Sequence, residues 1–308
     1  MIRALFQKLP VLVIAGLALG GLALGAVGSA LLGNEPFIRV PEVHLAPQEV
    51  FTVGGFVVTN TLLSAWLTTV VVLLVFGLGS RKAELVPGRL QGAIEILFEA
   101  LYGFIKGVVG EPYARRFFPI LATIFIFVSF NAWIALLPFY PTVGFKEEGA
   151  GYVTTHLLRS AGTDINMPLA LAIISFVFVE TWGFKAHRLG YLGEFFRGGR
   201  AIVMGVVRGR PGSVFGGVID GFVGLLELMS HFIRLLSFTF RLFGNMIAGE
   251  IILVMITFLL IFMSPIAFYL LEILVGGVQG LIFMGLTLVF AFMAVSPHEA
   301  DHKEANSP

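Results

Sequence analysis

Ionisable side chains set in otherwise apolar stretches are where this sequence can do chemistry: Glu180, Asp220, Glu227, Arg234, Arg241, Glu250 and Glu272, with His231 beside them. A charge in an apolar run is costly to maintain, and by default it marks an ion or proton route. Arg241 cannot act as a relay, because a guanidinium does not release its proton at any relevant pH. It is a fixed cation, which favours the ionised form of any carboxylate brought beside it and repels a hydronium trying to pass. Glu250 and Glu272 have the complementary chemistry, as carboxyls able to take up and release protons. For Glu180 and Asp220, near the ends of their runs, the plain alternative is a snorkelling side chain or a buried ion pair.

Spacing sorts these residues onto faces. At about 100° per residue, Glu227, Ser230, Arg234, Arg241, Asn245 and Ala248 fall within about 40° of one line along a helix. Glu250, nine residues beyond Arg241, points to the opposite side. One helix with polar groups on two sides implies two separate compartments. Glu272 and Gln279 are seven residues apart and stack on one face of the following helix. If the two helices fold back about Ser264, Glu250 and Glu272 lie offset by about 9 Å along the axis.

The elements that position these groups must lie in a bilayer. Of 308 residues, 57% are hydrophobic and 13% charged, with a mean hydropathy of +0.93, whereas soluble chains are about 25% charged. The net charge of +1 implies neither a nucleic-acid binder nor an acidic tail, and the absence of cysteine removes disulfides, thiolate nucleophiles and thiolate metal sites. Apolar runs able to cross roughly 30 Å of hydrocarbon cover about 11–32, 58–79, 117–139, 167–184, 218–263 and 265–295. Continuous runs of this length predict helices rather than a barrel. The expectation is an all-α polytopic membrane protein with five core membrane helices plus an N-terminal apolar segment.

Arg81, Lys82, Arg89, Lys106, Arg115 and Arg116 lie between the second and third runs, and Lys185, Arg188, Arg197, Arg200, Arg208 and Arg210 follow the fourth. The positive-inside bias puts both loops in the cytoplasm. The stretches holding only Arg39, or only Lys146 and Arg159, then lie outside, and the C-terminal tail lies inside. Residues 1–33 read as a signal peptide or an extra transmembrane helix, 34–57 as an external segment, 58–295 as the membrane domain and 296–308 as a cytoplasmic tail. Leu90 to Val109 reads as an amphipathic helix at the membrane surface. A helix over 221–263 would be about 65 Å long, and no proline interrupts it before Pro265. A long, strongly inclined C-terminal helical hairpin is therefore expected.

Two motifs point elsewhere and are weaker. His298-Glu299-Ala300-Asp301-His302 matches a zinc-protease pattern, but it follows Ser296-Pro297 and ends near the chain terminus, where a solvated tail is the simpler reading. Arg197-Gly198-Gly199-Arg200 and Arg208-Gly209-Arg210 satisfy the positive-inside bias without nucleic acid. No nucleotide-binding P-loop occurs, so no metal, cofactor or nucleic-acid partner is expected.

The run Arg241-Leu242-Phe243-Gly244-Asn245-Met246-Ile247-Ala248-Gly249-Glu250 closely resembles the signature of subunit a of F-type ATP synthases. Val86-Pro87-Gly88, Leu136-Leu137-Pro138, Thr163-Asp164-Ile165-Asn166, Glu227 and Gln279-Gly280-Leu281-Ile282-Phe283-Met284 look like further landmarks in the same order, so the resemblance covers about 49–295. It implies two proton half-channels separated by Arg241, which faces the carboxylates of a ring of proteolipid c subunits. Glu250, Glu272 and Gln279 would then serve the outer half-channel, Asn245 and Ser237 would flank the arginine, and Glu227 would serve the inner one. Peripheral-stalk b subunits and the remainder of the ATP synthase are the implied partners, the bacterial cell membrane is the location, and nucleotide catalysis belongs to other subunits. Departures occur at Glu272, often histidine in the family, at Asn131 and Ala135, and at Pro168. A rival reading, from the residues alone, is a secondary transporter in which Arg241 binds an anionic substrate. Transporters commonly carry internal repeats and helices broken at the site; neither is evident here.

Overall fold

Inside a bilayer, long apolar runs satisfy their backbone polar groups most simply as helices. The computed structural model describes residues 46–81, 86–137, 140, 143–145, 155–187, 211–259 and 265–296. Its long helices are α1 Asn60–Ser80, α2 Arg89–Val109, α3 Glu111–Ala135, α4 Asn166–His187, α5 Pro211–Leu259 and α6 Pro265–Val295. All but α2 are long and apolar enough to cross a membrane. The fold is therefore all-α and polytopic, as expected. The first apolar run, the first half of the 34–57 segment, the loop after α4 and the tail with its His298–His302 motif lie outside the described residues.

Two helix starts differ from the hydropathy reading. Gly110, at φ 75°, ends α2, and Glu111-Pro112 opens α3 at once, because proline is tolerated in the first turn, where its missing N–H costs nothing. Pro211 opens α5 in the same way, ahead of the apolar run. At the α2–α3 junction Lys106 pairs with Glu111, and that carboxylate raises the Lys106 ammonium above its ordinary range. Short strands also occur where none were expected. β1 Glu49–Val53 and β2 Phe56–Thr59 form an antiparallel hairpin. Its turn, Gly54-Gly55, has φ 57° and 90°, the left-handed conformation a two-residue hairpin loop requires. β3 Gly144–Phe145 pairs with β4 Thr155–His156.

Glycine lets α6 seat closely on α3. A Cβ at Gly276 would overlap that of Ala132, and one at Gly280 would overlap the Ser129 Oγ and lie 3.1 Å from the Phe125 carbonyl oxygen. Close backbone approach across small residues is the usual way membrane helices gain packing without a hydrophobic driving force. Trp133 Nε1 adds a hydrogen bond to the Ile273 carbonyl at 2.9 Å. One core cluster gathers Ile105, Phe117, Leu121, Met284 and Leu288. A second gathers Ile124, Val128, Ala172, Phe238, Leu242 and Phe283, and so joins α5 to the bundle.

Helix α5 runs unbroken for 49 residues, about 73 Å at 1.5 Å per residue. It cannot stand upright in roughly 30 Å of hydrocarbon. Its contacts with α6 fix an antiparallel register. Gly249 meets Glu272, Phe238 meets Phe283 with ring centroids 5.0 Å apart, and Arg234 stacks on Phe290. These pairs mirror about residues 260–262 rather than Ser264. The expected 9 Å offset between Glu250 and Glu272 is thereby corrected: Glu272 lies level with Gly249, the residue next to Glu250.

The α3–α6 seam yields a stability test. Gly280→Ala should lower the thermal midpoint of the detergent-solubilised protein by an overpacking cost of about 1–3 kcal/mol. Adding Ser129→Ala, which removes the overlapped oxygen, should recover most of it. A Gly280→Ala midpoint equal to wild type would contradict the packing.

Candidate functional site

The unbroken α5 presents two different surfaces. On the first, Ser230, Ser237, Arg241, Gly244 and Ala248 are exposed, flanked by Ile233, Leu236 and Phe240. A cavity of about 330 Å³ lies along this face, lined by Ser230, Arg234, Ser237 and Arg241 from α5 and by Leu286 and Phe290 from α6. The Arg234 guanidinium carbon sits 3.8 Å over the Phe290 ring, a cation–π contact that holds its charge against apolar surface. Arg241 makes no ion pair among the described residues. Glu227 and Asn245 are half-buried and do not line the cavity.

The second surface holds Glu250, and here the structure adds a residue that sequence reasoning treated only as an external loop charge. Arg159 Nε donates to both Glu250 carboxylate oxygens at 3.1 and 3.2 Å, and its Nη2 donates to Oε2 at 3.1 Å. Its Nη1 donates to the Ala46 carbonyl, and its backbone N–H donates to Ser64 Oγ, each at 3.1 Å. The Arg159 side chain is 9% exposed and that of Glu250 34%. Forked pairing of this kind fixes orientation as well as charge. Glu250 is therefore clamped to the loop before α4 and, through Ser64, to α1.

Helix α1 is polar on its inside. Asn60, Thr61, Ser64 and Thr68 are buried, whereas Trp66, Val70, Leu73 and Leu74 are exposed. Asn60, Ser64 and Thr68 recur every fourth residue, so they share one face. Thr61 donates to Asp164 at 2.9 Å, and Asp164 in turn accepts from the Asn166 backbone and side chain at the start of α4. Asn60 Nδ2 donates to the His156 carbonyl, and Thr68 reaches Asn131 Oδ1 at 3.5 Å. Tyr140, near Ser64, has its phenol pushed up by burial. The spacing of four was visible in an apolar run, but the partners, from 63 to 103 residues distant, were not.

Glu272 and Gln279 complete this side. The Glu272 carboxyl packs on the Gly249 backbone, where any Cβ would overlap it. Gln279 is 5% exposed and its Nε2 has no partner among the described residues; the same is true of Asn131 Nδ2 and Ser129 Oγ. Arg241, Ser237 and Ser230 thus share one groove, while Glu250, Glu272, Gln279 and the α1 face lie away from it.

The sequence model of the ATP synthase A chain matches residues 62–291, a stretch that includes all of these groups except Ala46, Asn60 and Thr61. The chain belongs to that family. It is 30% identical over 279 residues to the ATP synthase subunit a of Gloeobacter violaceus, covering 89% of this chain and 98% of the relative. Against that of Desulfosudis oleivorans the identity is 32% over 228 residues, covering 73% and 83%. Against that of a Helicobacter pylori strain it is 29% over 254 residues, covering 81% and 97%. With five helices able to span, this member of the ATP synthase A chain family is a multi-pass membrane protein.

The Arg159 clamp is open to a double-mutant test. Removing one partner of a largely buried ion pair leaves an uncompensated charge, whereas removing both does not. Arg159→Gln should therefore lower the thermal midpoint in detergent more than Arg159→Gln combined with Glu250→Gln, with a coupling of about 1–2 kcal/mol. A double variant no more stable than the single one would argue against the pair.

Proposed function

We propose that this chain is the non-catalytic, proton-conducting stator subunit of an F-type ATP synthase, coupling proton flow to rotation of a ring of c subunits. The observation that carries this reading is Arg241: an exposed cation on the apolar outer face of a helix too long to cross upright, with no ion pair among the described residues. Such a charge calls for a carboxylate supplied by a neighbouring chain. Small residues at Ser237, Gly244 and Ala248 let that neighbour come close.

In this mechanism protons enter on the side of Glu250, Glu272 and Gln279, reach a ring carboxylate, and leave by the groove lined by Ser237 and Arg241, with Asn245 beside it and Glu227 toward the inner face. Arg241 holds each arriving ring carboxylate ionised, so its proton has already left by the inner route. The same guanidinium repels hydronium and closes the direct path between the two routes. Each charge moved through 100 mV makes available about 2.3 kcal/mol, and a leak past Arg241 would dissipate it. The c-ring, peripheral-stalk b subunits and the rest of the synthase are the partners, in a bacterial cell membrane with the C-terminus cytoplasmic. Arg241 faces outward on the bundle rather than inward, which favours this reading over a transporter binding an anion in its interior.

Arg241→Ala should abolish ATP-driven proton pumping in membrane vesicles while the complex still assembles; pumping at the normal rate would refute the mechanism. Glu250→Gln and Glu272→Gln should each slow passive proton conduction, and unchanged conduction with an unchanged pH profile in both would remove them from the route. Mild-detergent purification through this chain should recover a small two-helix proteolipid; recovery of the chain alone would count against the stator assignment.

A further inference from the structure

At the Asn60 end of α1, the β1–β2 hairpin carries aromatic side chains that the bundle leaves uncovered. Residues directly opposite each other in an antiparallel pair point to one face, as do residues two apart on a strand. Phe51 stands opposite Val58, and Phe56 precedes Val58 by two, so these three share a face. Val58 is 3% exposed, Phe51 46% and Phe56 60%. The face that packs on the protein at Val58 therefore continues beyond it, uncovered, toward the Gly54-Gly55 turn. Thr52 and Val57 form a cross-strand pair on the other face.

We infer that the Phe51–Phe56 face of this hairpin lies on the bilayer, with its rings in the interfacial layer of the lipid, a role independent of proton conduction. The hairpin joins a membrane helix with no linker. β2 ends at Thr59, whose side chain caps α1, and Gln48 and Asn60 bond to each other through backbone and side chain. Helix α1 is long and apolar enough to cross a membrane, and its 21 residues extend about 31 Å, close to the roughly 30 Å of hydrocarbon. Asn60 therefore lies at the hydrocarbon edge, where the headgroup layer is about 5–8 Å deep. Standing along the axis of α1, the 4 residues of β2 would lift Phe56 about 13 Å, through that layer and into water. Lying across the surface, the hairpin sets both rings where aromatic side chains are enriched.

Continuity with α1 favours lipid over a protein partner. No charged residue occurs from Val50 to Ser80, and the exposed row of α1 begins at Trp66 and continues through Val70, Leu73 and Leu74. Trp66 lies six residues past Asn60, about 9 Å along the helix, so the apolar exterior of a membrane span leads up to the hairpin without a polar break in charge. The base of the hairpin is meanwhile bound to the polar side of α5. The Ala46 carbonyl accepts from Arg159, which grips Glu250, and Gln48 Oε1 accepts from the His156 backbone N–H at 3.1 Å. A hairpin seated in the interface thus sets the depth of this clamp in the bilayer.

The chain contains no cysteine, so a nitroxide on one introduced cysteine reports on one site. The full chain is reconstituted in phosphatidylcholine vesicles with the label at Phe56→Cys, Phe51→Cys or Thr52→Cys, and with Trp66→Cys as the lipid-facing reference. Collisions with oxygen, which partitions into lipid, are compared with collisions with a water-soluble nickel chelate. The oxygen-to-nickel ratio at Phe56→Cys and Phe51→Cys should approach that at Trp66→Cys and exceed that at Thr52→Cys several-fold. Low ratios at Phe51→Cys and Phe56→Cys, equal to that at Thr52→Cys, put the hairpin in water and overturn the lipid contact. Labels at Phe51→Cys and Phe56→Cys shielded from both reagents mean that protein covers the face, whether residues 1–45 or a second copy of the chain, and overturn it as well. Each variant keeps the other phenylalanine, so if Phe56→Cys fails to insert, Phe51→Cys decides.

Discussion

A permanent cation on the apolar outside of a helical bundle is the constraint around which the rest of this molecule is arranged. Arg241 cannot shed its charge, and an ion without a partner in low dielectric costs several kcal/mol even after relaxation. Among the described residues no carboxylate pairs with it. Glu227, on the same side, is 14 residues away, about 21 Å along the helix, and Glu250 points the other way into the fork of Arg159. The exposed small residues at Ser237, Gly244 and Ala248 leave room beside it for a neighbouring group. The 49 residues of α5 serve the same end, since an inclined helix offers a long lateral surface where an upright one would offer about 20 residues.

If Arg241 is to stay fixed while its neighbour moves, α5 has to be anchored, and an arginine–glutamate ion pair and a histidine–glutamate hydrogen bond do this. Glu180–His231 holds it to α4 ten residues before the arginine, and Arg159–Glu250 holds it to the loop before α4 nine residues after. These anchors lie about 15 and 14 Å from Arg241 along the axis. Between them, Phe238 and Leu242 are buried against α3, α4 and α6. Lateral displacement of the arginine therefore requires breaking charge-assisted contacts and uncovering a packed core together. Rigidity here is local to the stretch that bears the fixed charge.

The sequence made the helical architecture and the two faces of α5 legible, because both depend on near neighbours: apolar run length for the first, a period of about 3.6 for the second. Ser230, Arg234 and Arg241 shared a line on the wheel and share a groove in the structure. What it hid were long-range partners. Arg159 read as a loop charge counted for orientation, yet 91 residues separate it from the carboxylate it grips. Glu180 and His231 were both visible as trapped ionisable groups, but nothing local shows that α4 and α5 bring them within 2.7 Å. The hairpin register was misplaced for a related reason. Ser264-Pro265 marks where a helix can begin, while the mirror point is set by where Gly249 admits Glu272.

The inward polarity of α1 raises a question of energy that packing alone does not answer. An α1 with leucine at the positions of Asn60, Ser64 and Thr68 would need no hydrogen bonds for them, and buried polar groups add stability only when fully satisfied. Part of the polar set is accounted for structurally: Asn60, Thr61 and Ser64 join α1 to the His156, Asp164 and Arg159 region. The remainder is not. Asn131 Nδ2, Gln279 Nε2 and Ser129 Oγ are buried without a partner among the described residues, and each such group costs about 1–3 kcal/mol. Ser129 even crowds the seam, since its oxygen occupies the space a Cβ at Gly280 would need. A purely structural seam would be cheaper with alanine at 129. The proposed proton-conducting reading gives them a use, as hydrogen-bonding groups beside a route from Glu272 toward the bundle interior.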